Sequence, residues 1–319
     1  MEEKRLKILF MGSSDFGEPS LEIIHKKFNL VGVVTLKDRI KGRGYKPIPT
    51  PIKQKAKQLG IKKIIEIEST QEKSLEDEIK KLNPDIIYVV AFRILPKNIL
   101  NIPKIGSINL HASLLPKYRG PAPINWAIIN GENNTGLTTF FITEEVDAGN
   151  IILQKEYPIN FDWDFGDLYY FLKEKSYEIT YETLTLIEKG DFKLKEQDLN
   201  LVSYAPKIKK EDALIDFNNV SLSIYNKIRG VNPIPGAFVF YRNKILKIRK
   251  VKYNFDDTNL YNNPGEIIEI SKEYLKIACK KGSIFIIRIQ PEGKKEMKIK
   301  DFINGYKPKI GEMLKTTKE

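Results

Sequence analysis

Short apolar runs separated by amphipathic stretches fill the first 190 residues of this 319-residue chain, and that alternation limits what it can fold into. Lys7–Met11 (KILFM, closed by Gly12), Leu30–Thr35 (LVGVVT), Asp85–Ala91 (DIIYVVA), Ile105–Leu110 and Leu137–Thr143 read as strands. The uninterrupted apolar run at 85–91 predicts a strand covered on both faces. Pro19–Lys27, with Leu21, Ile24 and Phe28 at helical spacing, reads as a helix, as do Ile52–Leu59 and Glu72–Leu82. Asp164–Lys189 reads as a long closing helix. Strands and helices in this order imply an α/β domain, Rossmann-like, with a mostly parallel sheet and right-handed crossovers.

The pattern then changes. Asp191–Leu201 is polar and shows no clear period. Beyond it come one helix, Val220–Gly230, and five short β-rich runs: Ala237–Tyr241, Lys244–Lys252, Gly265–Ile270, Tyr274–Cys279 and Ser283–Ile289. Five short strands with turn signals and one helix predict a small β-barrel of the oligonucleotide-binding (OB-like) kind. The expected domains are residues 1–190, a linker at 191–208, and residues 209–319.

Charge is divided along the same line. Residues 1–190 carry 27 basic and 25 acidic side chains, whereas residues 201–319 carry 24 and 13. Codon bias accounts for abundant lysine but not for its segregation. A basic module behind a near-neutral one points to a polyanionic partner, nucleic acid before membrane. One cysteine excludes a disulfide scaffold and fits a cytoplasmic protein. No apolar run approaches the roughly 20 residues of a membrane span, and the N-terminal apolar stretch is too short for a signal peptide.

The chemistry concentrates in Ile108–Glu132 (INLHASLLPKYRGPAPINWAIINGE). Asn109 and His111 stand two apart at a strand end, so one face presents both, at the carboxyl edge where α/β sheets place ligands. An amide donor beside an imidazole suits a reaction that builds negative charge on a carbonyl oxygen. The proline-rich loop that follows reads as a rigid pocket wall. Asp147, in EEVDAG, reaches this pair if the strand at 137–143 neighbours the one at 105–110; otherwise it belongs to a solvated turn. His25, in LEIIHKKF, reads as structural. The loop Gly12–Gly17 lacks both G-x-G-x-x-G and a phosphate-binding Lys, so it reads as a strand-to-helix turn. No Cys/His spacing suits zinc, and no metal is expected.

NLHASLLPKYRGPAPI with the later EEVDAGNI resembles the folate-dependent formyltransferases, specifically the branch that modifies aminoacylated tRNA. Further segments carry the likeness across the chain: DRIKGRGYKPIPTPIKQKA, YAPKIKKEDALIDF, KIRGVNPIPGAF and QPEGKKEM. The resemblance implies transfer of the formyl group of 10-formyltetrahydrofolate to the α-amino group of methionyl initiator tRNA, by a protein expected to be monomeric. Asn109, His111 and Asp147 match the family's catalytic residues, and Ser113, Leu114, Leu115 and Pro116 its folate loop. Arg43 matches an arginine approaching the tRNA acceptor end. AFRILP at 91–96 looks one residue shorter than the family's usual form, so Phe92 and Arg93 receive no assigned contact.

On the basic module, Lys207, Lys209, Lys210, Arg242, Lys244, Lys247, Arg249 and Lys250 are the candidates for phosphate contact. Three other functions share parts of this pattern. A formyltetrahydrofolate hydrolase keeps the same trio, and a sugar-nucleotide formyltransferase keeps it without the GRG loop and this basic domain. A non-catalytic tRNA-binding protein would carry an inactive α/β domain, against which the intact Asn109, His111 and Asp147 speak.

Overall fold

The computed structural model describes residues 6–38 and 47–318. The chain opens with β1 (Lys7–Gly12), α1 (Glu18–Lys27), β2 (Asn29–Leu36), α2 (Pro51–Gln58), β3 (Ile64–Ile67), α3 (Lys73–Leu82), β4 (Ile86–Val90), α4 (Lys97–Leu100) and β5 (Gly106–His111). It continues through α5 (Pro123–Ile129), β6 (Asn134–Phe141), β7 (Ile151–Pro158) and α6 (Phe165–Lys189). The seven strands form one sheet in the order β3-β2-β1-β4-β5-β6-β7. Strands β1 to β5 pair in parallel and β6 runs antiparallel to β5. This is the predicted Rossmann-like sheet.

The sequence explains why the sheet is a sandwich. All five residues of β4 are buried, as an apolar run without alternation demands. Leu9, Met11, Val34, Ile87 and Val89 join Leu75 and Ile79 of α3 in one core cluster. On β4, Tyr88 is also buried and its hydroxyl meets Thr180 of α6 at 2.9 Å. Helix α2 starts where Thr50 caps the Lys53 amide and Pro51 opens the first turn. Helix α3 stops where Asn83 turns left-handed (φ 46°).

Beyond residue 204 the elements are α7 (Ser221–Val231), β8 (Phe238–Tyr241), β9 (Lys244–Tyr253), β10 (Ile267–Ile270), β11 (Leu275–Ala278), β12 (Ser283–Pro291), β13 (Met297–Lys298) and α8 (Ile299–Tyr306). The sheet order is β10-β11-β12-β9-β8, with β13 on β12, and neighbouring strands run antiparallel throughout. Phe240 bridges Lys315 and Glu266 bridges Met313, so residues 313–315 join β8 to the start of β10 and curl the sheet towards closure. Ile248, Ile277, Ile284 and Ile286 are fully buried inside it; each such side chain contributes about 1.5–3 kcal/mol of burial. The OB-like expectation describes this sheet.

The chain folds into two compact units. One holds residues 1–120, 135–157 and 169–204; the other holds 121–134, 158–168 and 205–319. In the second unit α7 packs on β9 and β12 and against α5. Gly230 permits that helix crossing, because a Cβ there would lie 2.5 Å from Ile129 and 2.9 Å from the Asn125 carbonyl. The Asn125 amide donates to the Gly230 carbonyl at 2.7 Å. Sequence periodicity misses α4, α5, α8, β3, β7 and β13, which are short or carry mixed burial.

Among the described residues no helix is long and apolar enough to cross a membrane. Among the same residues, no three His, Cys, Asp or Glu side chains gather as a metal site requires.

Candidate active site

Strand β5 lies between β4 and β6, with Asn109 opposite Val89 on one side and Phe140 on the other. The neighbour relation on which Asp147 depended therefore exists. Asp147 Oδ2 lies 3.7 Å from His111 Nδ1, with both side chains largely buried. The same Oδ2 accepts the Gly120 amide at 2.8 Å. On the far side of the ring, His111 Nε2 meets the Tyr118 carbonyl at 2.9 Å. A carbonyl only accepts, so Nε2 carries a proton and Nδ1 is the nitrogen turned to the carboxylate. The half-buried Asn109 amide makes no hydrogen bond with a described residue, leaving its two N–H donors for a ligand.

Two backbone conformations hold this arrangement. Asp147 is left-handed (φ 54°), a region aspartate tolerates, and Tyr118 is left-handed too (φ 63°), which is uncommon for an aromatic residue. The Tyr118 amide donates to Ser203 Oγ at 2.9 Å, so its peptide is fixed at both ends. Gly149 lets the Asp147 loop lie against the end of β6: a Cβ there would stand 1.6 Å from the Phe141 carbonyl oxygen.

The loop Ser113–Pro116 turns much of itself inward. Ser113 is fully buried and donates to the Lys117 carbonyl, and Leu115 is buried with Phe140 and Ile151. Thr138 Oγ1 donates to the Ser113 carbonyl at 2.6 Å, and Gln154 donates to the Leu115 carbonyl at 3.0 Å. Leu114 and Pro116 are the members with side chains partly open.

Several residues that sequence reading passes over complete the site. Arg119 is buried and donates to Gln197 and, at 2.9 Å, to Glu145. Residues of the aperiodic polar stretch are bound in place: Lys195 bridges Ile151, and the Arg119 amide donates to the Ser203 carbonyl. Arg119 is signalled only by its place in the YRG of the proline-rich loop; Gln197 carries no signal.

At the head of the sheet, Asp15 accepts from Tyr169 at 2.7 Å and Lys173 at 3.1 Å. Burial works to raise the Asp15 carboxyl, but these partners outweigh it and hold the group below its usual range.

The basic candidates sit in different settings. Lys207, Lys209, Lys210 and Lys244 are exposed. Lys247 donates to the Pro235 carbonyl, and Arg249 to the Pro233 carbonyl and Gln290. Burial, then repulsion from Arg249 and Lys210, lowers the Lys247 ammonium, which marks these three as neighbouring cations. No carboxylate among the described residues forms an ion pair with any of them. Arg242 differs, being ion-paired to Glu312 at 2.6 Å. Arg43 lies outside the described residues.

The family model described as "Formyl transferase" matches residues 4–184, and "Formyl transferase, C-terminal domain" matches residues 207–307. The chain belongs to the formyltransferase family. The methionyl-tRNA formyltransferase of Citrifermentans bemidjiense is 42% identical over 311 residues, covering 97% of this chain and 96% of that protein. That of Fusobacterium nucleatum is 42% identical over 313 residues, covering 97% and 100%. Among solved structures, the sugar 3N-formyltransferase WlaRD, crystallised in the presence of dTDP and 5-N-formyl-THF, has a TM-score of 0.68 at 23% identity. It covers 91% of this chain and 99% of its own, and at that identity it speaks for the fold. Family membership agrees with the motifs in 108–132 and 144–151.

Proposed function

We propose that this protein transfers the formyl group of 10-formyltetrahydrofolate to the α-amino group of methionine on initiator tRNA. The observation that carries the chemistry is the approach of Asp147 to His111 Nδ1 beside the unpartnered Asn109 amide. Relatives at 42% identity over nearly the whole chain, both named methionyl-tRNA formyltransferase, support the choice of acceptor.

The folate supplies the formyl carbon as the electrophile. Asn109 donates N–H to the formyl oxygen as it gains negative charge, a role worth about 2.7–4 kcal/mol where it has been measured in other enzymes. His111 Nδ1, its ring fixed by the Nε2–H bond to Tyr118, takes up the proton that the attacking amine releases by way of Asp147, and then either stabilises that charge or hands the proton to the departing folate nitrogen. The attacking amine must be neutral, and Asp147 accepts its proton directly or through water while holding the imidazole in line. The Gly120 amide keeps that carboxylate from turning away. Leu114 and Pro116 are the members of the folate segment whose side chains are open to contact.

The α/β unit performs this chemistry and the barrel unit holds tRNA. Lys207, Lys209, Lys210, Lys244, Lys247 and Arg249 contact phosphates, with Arg242 restrained by Glu312. Arg43 approaches the acceptor end. The protein acts in the cytoplasm as a monomer and without a metal.

One assay tests the reading: 10-formyltetrahydrofolate offered with methionyl initiator tRNA, uncharged tRNA, an amino-sugar nucleotide, or water alone. Formyl transfer confined to the charged tRNA is the expected result. Folate hydrolysis without acceptor, or transfer to the amino sugar, overturns it.

A further inference from the structure

The side-chain amide of Gln197 is fully committed, and to residues of the site. Its Oε1 accepts from Arg119 Nη2 at 2.8 Å and Arg119 Nε at 3.1 Å. Its Nε2 donates to the carbonyl of Asp147 at 2.8 Å and to that of Gly149 at 2.9 Å. Both N–H donors and both acceptor directions are used. Buried Arg119, in turn, follows Tyr118, whose carbonyl fixes His111 Nε2. One amide thus joins the segment that orients the imidazole to the segment that carries the carboxylate.

We propose that Gln197 is a positioning residue for formyl transfer: it sets the Asp147 carboxylate against His111 Nδ1 by clamping the carbonyls at 147 and 149 to Arg119. The proposal rests on the catalytic reading of Asn109, His111 and Asp147 given above. Its physical basis is that the left-handed turn at Asp147, which aspartate tolerates at some cost, is held in place by these bonds to its own carbonyl and that of Gly149. Glutamine alone offers donors and acceptors on one planar group at this reach. Asparagine is a methylene short, and glutamate turns an oxygen towards two carbonyl oxygens.

The site tolerates little play, since a misplacement of about 1 Å costs on the order of 100-fold in rate. Gln197→Ala removes the clamp, and Gln197→Glu, near-isosteric, keeps the Arg119 contact while repelling both carbonyls. We expect folded Gln197→Glu to lose about 10–100-fold in kcat with the KM for folate and for tRNA near the parental values. The chain has two histidines, so the His111 ring signals can be followed by NMR against exposed His25 as an internal control. The His111 signals should move in both Gln197 variants while those of His25 stay.

A double-variant cycle with Asp147→Asn separates this proposal from the one beneath it. If Gln197 acts through Asp147, changing it in an Asp147→Asn background costs little more. Unchanged kcat in folded Gln197→Glu, a loss confined to KM, or full multiplication of the two losses overturns the proposal. Asp147→Asn with parental turnover instead breaks the catalytic trio itself, before Gln197 is touched.

Discussion

The α/β unit and the barrel unit differ in how many of their charges they pair. In the first, many cations are matched with carboxylates. Lys53 sits between Asp38 and Glu66, Lys173 between Asp15 and Glu18, and Lys155 between Glu178 and Glu182. In the second, Arg242, Lys276 and Arg288 have carboxylate partners. Lys207, Lys209, Lys210, Lys244, Lys247 and Arg249 form no ion pair with a described residue. Paired ions fix geometry and project little field, whereas unpaired cations project field and define no geometry of their own. A reaction centre needs the first property, and a surface for a polyanion needs the second.

The largest test of that contrast is Asn109→Ala. It should lower kcat by about 100- to 1,000-fold in steady-state formylation, with tRNA affinity intact by filter binding. Near-parental turnover in a folded Asn109→Ala protein would remove the reaction centre from this unit.

Changing Lys210, Lys247 and Arg249 together to Ala should do the reverse. We expect kcat to hold, the KM for tRNA to rise about tenfold, and the dependence of binding on salt to flatten by about 0.9 per lost phosphate contact. An unaltered salt slope would show that these cations do not face phosphate.

A smaller effect is expected at the head of the sheet. Asp15 is held below its unfolded range, so it adds stability above that range and loses it as pH falls through the folded value. Asp15→Asn should therefore melt lower than the parent near neutrality, and the gap should close in acid. A gap in Tm that persists to pH values where carboxyls are protonated would deny the ionised pair its role.

The smallest expected effect concerns Cys279. Burial pushes its thiol up to about 12, so the folded protein should resist alkylating reagents at mildly alkaline pH. Rapid stoichiometric labelling would show the barrel core to be open.

What the sequence discloses depends on whether a residue acts through its own element or across elements. DIIYVVA announces a buried strand because every side chain obeys one rule, and β4 follows it. Asn109 and His111 are legible as a pair because a strand has a period of two. Asp147 is legible only conditionally, since its relevance depends on β6 lying beside β5. Gln197 is not legible at all. It works by four hydrogen bonds from a stretch without period, and no local pattern encodes partners 48 to 78 residues away. The same limit hides α5, whose face is explained by Gly230 rather than by its own seven residues.

The way the two units share the chain bears on how the protein can be taken apart. The barrel unit draws residues 121–134 and 158–168 from the middle of the sequence. A gene cut between 191 and 208 would deliver a carboxyl-terminal fragment without α5. It would also lack Trp163, whose carbonyl accepts from buried Arg229, and Asp162, which accepts from Tyr225. Such a fragment would emerge with an uncovered helix and a buried guanidinium stripped of its Trp163 partner. Split-protein or domain-exchange schemes for this chain therefore have to carry those two middle segments along with the barrel.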